Sequence, residues 1–145
     1  MGVLIHRGYP AEEANGVAIS RNVVDPGGFG HYINAQIGEI SVVNPESGDL
    51  PEQIVYKPYN PPEIVVLGRS TVTGGAAVLA ETEVHRLGCM LQAAHNHFRD
   101  HYVPAVPADR FAIDVEFKID GATREVFFKQ ARPWIERRTV ENNCE

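Results

Sequence analysis

Three polar residues near the end of the chain have side chains that could bind a phosphorylated ligand together. Glu116 lies in the run DVEFKID, while Gln130 and Arg132 lie in the later run KQARP. The two runs flank an Asp-Gly pair, which predicts a β-hairpin. If the turn centres near residue 123, Glu116 and Gln130 are direct cross-strand neighbours with Cβ atoms about 5 Å apart. The sequence by itself leaves that register open.

These residue types favour a magnesium–phosphate site. A carboxylate beside an amide oxygen gives two hard oxygen donors, which suit Mg²⁺ next to nucleotide phosphates. Arg132 follows Gln130 by two positions, and its guanidinium would offer bidentate hydrogen bonds to a phosphate. The hairpin is therefore interpreted as one wall of a nucleotide site. On spacing alone, ordinary solvated residues at strand ends explain the same pattern, and that alternative stays open.

Strand alternation predicts which side chains of the hairpin share a face. In the first strand it separates Glu116 from Val115 and Phe117. In the second strand it puts Phe128 and Gln130 on one face.

The rest of the chain predicts several strands, one long helix and much loop, which is the composition of an α+β domain. Apolar residues recur at spacings of three and four over 76–102, so a helix is expected there, with Thr73 as its N-cap. Gly88 inside this helix indicates a kink or close packing. Strands are expected at 3–6, 16–22, 31–39, 54–56 and 63–68, with the closing hairpin at 113–132. We treat residues 1–145 as a single domain with a mostly antiparallel sheet.

Composition excludes several classes of partner. A net charge of −6 argues against nucleic acid and anionic membrane, because both need clustered positive charge. No apolar run approaches the ~18 residues of a membrane span. The two cysteines, Cys89 and Cys144, indicate no disulfide framework, so the cytoplasm is the expected compartment.

Four segments of the chain resemble, in the same order, the ATP-binding domain of the phosphoenolpyruvate synthase and pyruvate phosphate dikinase family. They are ANGVAISRN (14–22), YINAQIGEISVVNPESGDLPEQ (32–53), HNHFRDHY (95–102) and DVEFKID with the following KQARP. The resemblance touches nearly the whole chain. It implies the C-terminal lobe of an ATP-grasp domain, which clamps ATP between two lobes.

The resemblance also implies roles for five residues. Glu116 and Gln130 would bind Mg²⁺ together with the phosphates of ATP, and Arg132 would contact a phosphate. Arg21 and Glu39 would lie near the nucleotide cleft. Two departures bear on the last pair, since DPGGFG replaces the usual turn after the Arg21 strand and an extra isoleucine in INAQIGE would displace Glu39.

The activity implied by the resemblance is transfer of a phosphoryl group from ATP to a catalytic histidine on another domain, and then to pyruvate or a related acceptor. Relatives that act on rifamycins or glucans share this ATP domain, so the acceptor stays open. The first lobe of the clamp and the phosphohistidine domain are not among the matched segments. Because phosphoryl transfer depends on positioning, we expect the isolated chain to be inactive and to bind ATP weakly at best.

Two other kinds of function stay open. The chain can be a non-catalytic regulatory or docking module that keeps the lobe, or a stand-alone binder of a small ligand. The cleft face that the other lobe would cover also favours self-association as a homodimer.

Two further patterns carry less weight. His97 and His101 are four residues apart on the helix but lack an H-E-x-x-H motif, so surface or packing roles are favoured over a metal site. The two glycines of VTGGAAV precede the helix without a Walker lysine, so an ordinary helix entry is favoured over an anion site.

Overall fold

The computed structural model describes residues 11–25, 27–43, 48–102, 107 and 110–135. Within these ranges the elements are, in chain order, β1 (Glu12–Ile19), β2 (His31–Ile37), β3 (Glu52–Lys57), β4 (Glu63–Gly68), α1 (Glu81–Tyr102), β5 (Phe111–Asp120) and β6 (Val126–Ile135). The strands form one antiparallel sheet in the order β4-β3-β2-β1-β5-β6. The predicted α+β class, with a mainly antiparallel sheet and one helix, is confirmed.

One face of the sheet is covered and forms the core. In β5, Val115, Phe117 and Ile119 are fully buried, while Glu116 and Lys118 between them are only partly buried, as alternation in a half-covered sheet requires. Helix α1 packs on this face through Val84, Leu87 and Leu91. No described helix covers the opposite face, which we call the uncovered face.

The helix begins at Glu81, five residues later than the predicted 76, and Thr73 is not its N-cap. The Thr73 hydroxyl instead contacts the carbonyls of Ser70 and Ala76 within a turn. At the true start, the backbone N–H of Ala80 donates to Glu83 Oε2 at 2.7 Å, which is the carboxylate half of a capping box. The local pattern missed this start because the capping carboxylate lies inside the helix.

Gly88 is a packing glycine. A Cβ atom at this position would collide with the ring of Tyr56 on β3. The absence of a side chain therefore lets the helix approach the sheet closely, as the sequence indicated. Gly16 in β1 has a similar role, because a Cβ there would collide with the Asn34 carbonyl and the Phe117 ring.

A bulge in the closing hairpin corrects the predicted face of Gln130. Phe117 pairs with Phe128, but the next pair is Glu116 with Gln130, so Lys129 is the extra residue. A bulge lets both strands keep their apolar side chains on one face. As a result Phe128 packs against the core, whereas Gln130 shares the face of Glu116 rather than that of Phe128.

Other element boundaries differ modestly from the predictions. The first described strand is Glu12–Ile19 instead of 16–22, and β2 ends at Ile37 instead of 39. Strand β4 has the predicted bounds, and the hairpin strands extend beyond 113–132 at both ends. The strand predicted at 3–6 lies outside the described residues.

The part of the chain that the structure describes contains no helix that is both long and apolar enough to cross a membrane.

Candidate functional site

Glu116 and Gln130 occupy directly opposed positions on the uncovered face. They pair across β5 and β6, which confirms the register that the sequence left open. Glu116 is partly buried and Gln130 is exposed. Because paired residues of a sheet point the same way, a carboxylate and an amide meet at one place that no described helix covers.

The bulge adds a lysine to this pair. In a bulge, the two residues that oppose one partner can both project on the same side of the sheet. Lys129 accordingly reaches the uncovered face, where its Nζ lies 3.9 Å from Glu116 Oε2. Glu116 and Lys129 are 40% and 37% exposed, so water screens this contact and leaves both groups open to a ligand.

A shallow groove runs beside this group, and we call it the hairpin groove. It has a volume of about 190 Å³. Its floor and one wall come from β1, β5 and β6, including Glu116, Lys118 and Lys129, and its other wall is the segment 41–43. Asn15 holds the start of that segment, since its Nδ2 donates to the carbonyl oxygens of Gly38 at 2.6 Å and of Ile40 at 3.0 Å.

Lys118 and Lys129 differ in their partners. Lys118 Nζ lies 2.7 Å from Glu12 Oε1, and this pair is mostly buried. The charge of Lys118 is therefore already balanced within the sheet. Lys129 has only the longer contact with Glu116 among the described ion pairs, so it is the better placed of the two to meet an incoming anion.

Arg132 follows Gln130 on the same face, but a carboxylate holds it. Its Nε and Nη2 atoms both lie 2.8 Å from Oδ2 of Asp114, the residue paired with it across the hairpin. This hydrogen bonding raises the pKa of the Arg132 guanidinium above its usual value. The side chain is still 61% exposed. Asp114 thus fixes the direction of a guanidinium whose outer edge faces solvent.

Glu116, Lys129, Gln130 and Arg132 form what we call the hairpin group. Arg21 and Glu39 do not belong to it. Arg21 lines a separate cavity beside helix α1, together with Ser20 and His95. Glu39 is exposed in the connection between β2 and β3, one residue beyond Gly38. Of the five residues singled out in the sequence, the structure brings together Glu116, Gln130 and Arg132 only.

Two residues on the uncovered face were missed by the sequence reasoning. Lys129 was given no role by the sequence reasoning, although alternation from the core residue Phe128 already points it outward; the bulge then places Gln130 on the same face. Asn34 pairs with Val17, which in turn pairs with Glu116, so the three lie in a row across the sheet. The side-chain oxygen of Asn34 is buried without a hydrogen-bond partner among the described residues.

The donors at the hairpin fit magnesium only when phosphate oxygens complete its shell. Among the described residues, no group of three or more His, Cys, Asp or Glu side chains is placed to hold a metal ion. Mg²⁺ commonly uses one or two carboxylates together with substrate phosphates and water. Glu116 with the Gln130 amide meets that lower requirement, and Lys129 and Arg132 supply positive charge nearby. The arrangement can bind and neutralise a phosphorylated ligand.

The comparisons with known proteins leave this site to be interpreted from its geometry. No protein-family model matches the chain, and no curated protein matches it significantly.

Proposed function

We propose that this chain is the ATP-binding C-terminal lobe of an ATP-grasp domain similar to that of phosphoenolpyruvate synthase. The hairpin binds Mg²⁺ and the nucleotide phosphates on the uncovered face. Glu116 and Gln130 ligate the metal, and Arg132 contacts a phosphate. Lys129, which lies on the same face, balances the remaining negative charge.

The observation that carries this proposal is the pairing of Glu116 with Gln130 on the face that no described helix covers. A solvated strand end would need no particular partner, whereas a metal site needs two oxygen donors at one place. The pairing depends on the bulge at Lys129, because without it either the core residue Phe128 or Gln130 would be on the wrong face.

The chemistry that follows is phosphoryl transfer by positioning and charge neutralisation. In the complete clamp, the first, N-terminal lobe would cover the uncovered face and exclude water from the phosphates. The phosphoryl group would pass to a histidine on another domain and then to pyruvate or a related acceptor. Arg21 and Glu39 are assigned no contact with the phosphates, because neither lies with the hairpin group.

Nuclear magnetic resonance titration of the chain with ATP tests this assignment. We expect weak binding, with amide shifts concentrated at residues 115–118 and 129–132, and we expect those shifts to require Mg²⁺. Weak binding is expected because one lobe supplies only part of the contacts. Mutation of Glu116 to Gln keeps the size of the side chain but removes the metal-binding charge, so it should abolish the Mg²⁺ dependence.

Glu125→Gln is the matched control. It makes the same change at an exposed residue in the turn of the same hairpin, away from the paired strands. It should leave the titration unaltered. If the shifts map elsewhere on the sheet, or if Glu116→Gln responds like the unchanged chain, the nucleotide assignment is wrong and the non-catalytic docking module becomes the better interpretation.

A further inference from the structure

A second cavity lies on the covered side of the sheet, where the end of β1 and the start of β2 meet helix α1. We call it the histidine pocket. Its volume is about 200 Å³. The polar side chains that line it are Ser20, Arg21, His31, Gln92 and His95. It is separate from the hairpin groove, which lies on the uncovered face.

His31 is the unusual member of this lining. Its side chain is only 2% exposed, yet neither ring nitrogen completes a hydrogen bond among the described residues. The Gln92 side chain and the Ser20 backbone lie close enough to raise the pKa of the ring, but neither forms a hydrogen bond of good geometry with it. Burying a polar group without a hydrogen-bond partner costs free energy, because the group loses its bonds to water. A ligand that bonds to the imidazole would remove this cost.

His95 is oriented by a hydrogen-bond chain that crosses the fold. The backbone N–H of Ile113 donates to Ser20 Oγ at 2.9 Å, and Ser20 Oγ lies 2.8 Å from His95 Nδ1. When the serine donates its proton to Nδ1, the other ring nitrogen, Nε2, carries the hydrogen. In that arrangement the hydrogen bonds fix the His95 ring and leave Nε2 as a donor.

The lining favours an anion over a cation. It contains the guanidinium of Arg21, two imidazoles and an amide, and it contains no carboxylate among its described residues. Nitrogen donors with one fixed positive charge match the oxygens of a small oxyanion. The volume suits an ion of the size of phosphate or a short carboxylate rather than a nucleotide.

We propose that the histidine pocket binds a small oxyanion, a phosphate or a carboxylate, through the rings of His31 and His95 with Arg21 balancing its charge. The site does not depend on the nucleotide assignment, because its residues lie on the other side of the sheet from Glu116. It gives the lobe a second ligand that is distinct from ATP.

Burial lowers the pKa of both histidines, and nearby positive charge adds to the effect. The groups that face His31 are the Tyr56 ring from β3, His95 from α1 and Arg21 from the connection after β1, and Arg99 lies near His95. Both imidazoles are therefore neutral near pH 7 when no anion is bound. A bound oxyanion favours the imidazolium form, so its binding should tighten as the pH falls toward 6.

Titration of the full chain with inorganic phosphate, at constant ionic strength set with sodium chloride, tests the proposal. The ring resonances of His31 and His95 are followed, with those of the exposed His97 as an internal reference. Saturable shifts at His31 and His95 that exceed those at His97 would support the proposal. A parallel titration with acetate separates the two sources, since a response to both ions indicates carboxylate binding as well as phosphate binding.

Variants then locate the ion. His31→Gln should weaken phosphate binding by about tenfold, the loss expected for one hydrogen bond to a charged partner. Gln92→Ala, on the helix surface, gives a second test if His31→Gln does not fold. His97→Gln, an exposed histidine on the same helix, should leave the affinity unchanged.

The titration of the unchanged chain is decisive by itself. If neither ion shifts His31 and His95 more than His97, or if sodium chloride alone gives the same shifts, the proposal fails. It also fails if His31→Gln folds and binds phosphate as tightly as the unchanged chain.

Discussion

The hairpin groove and the histidine pocket lie on opposite faces of one sheet, and their residues come together over very different distances along the chain. Glu116 and Gln130 belong to consecutive strands of one hairpin. In the histidine pocket, Ser20 contacts His95 and Ile113, which are 75 and 93 positions away. A short turn is enough to bring Glu116 and Gln130 together. The residues of the histidine pocket meet only when the whole sheet and helix α1 have formed.

The two regions also differ in their surroundings. The hairpin group is half exposed, so its charges are screened and their net effect on stability is small. The histidine pocket contains the buried His31 and borders the core residue Phe111, and the unpartnered imidazole of His31 carries a cost. Substitutions in the hairpin group should therefore change binding more than stability, and substitutions against the covered face should do the reverse.

Gly16→Ala should have the largest effect on stability, because Gly16 lies in an interior strand of the sheet and packs against the core. The new Cβ would collide with the backbone carbonyl of Asn34 and with the buried Phe117 ring. Overpacking of this kind costs about 3 kcal/mol. Urea unfolding at 25 °C measures the loss. Gly68→Ala, in a strand position with open space around it, is the control and should not destabilise the chain.

Gly88→Ala should destabilise the covered face by a smaller amount. The new methyl group collides with the Tyr56 ring, but alanine gains about 1 kcal/mol over glycine in a helix. We expect a net loss of about 1–2 kcal/mol. Arg86→Ala, at an exposed position of the same helix, should stay close to the unchanged chain in the same urea experiment. A stabilised Gly88→Ala variant would mean that the helix does not depend on this close approach.

The pH dependence of stability should identify the histidine pocket. The folded-state pKa values of His31 and His95 are lowered from the usual 6.5. As the pH falls through about 6.5, the unfolded chain takes up protons that the folded chain resists, so the free energy of unfolding decreases. Urea unfolding between about pH 7.5 and 5.5 should show this decrease. His31→Gln should flatten the curve, and an equally steep curve would show that His31 does not contribute.

Asp114→Asn should have the smallest effect on stability, below about 1 kcal/mol, because its partner Arg132 is 61% exposed, so that water screens the ion pair. The variant should weaken the magnesium-dependent ATP response, since Asp114 no longer fixes the direction of the guanidinium. Thermal unfolding and the ATP titration give the two readouts. An ATP response as strong as that of the unchanged chain would mean that Arg132 needs no such support.

Sequence patterns predicted the elements that depend on local chemistry. The bounds of β4, the C-terminal part of helix α1 and the hairpin around Asp120 all follow from short-range apolar spacing and turn residues. The helix start was missed because Glu83 caps Ala80 from within the helix, and the expected cap at Thr73 belongs to a turn.

The sequence by itself determined the hairpin and the residue types that oppose each other across it, because those depend on a turn and on alternation over a few positions. Tertiary structure decided the rest. The bulge at Lys129 keeps Phe128 in the core while turning Gln130 toward Glu116, and burial of the apolar face is what makes that arrangement favourable. The contact of Ser20 with His95 likewise requires the packed sheet and helix, since no short-range pattern specifies residues so far apart.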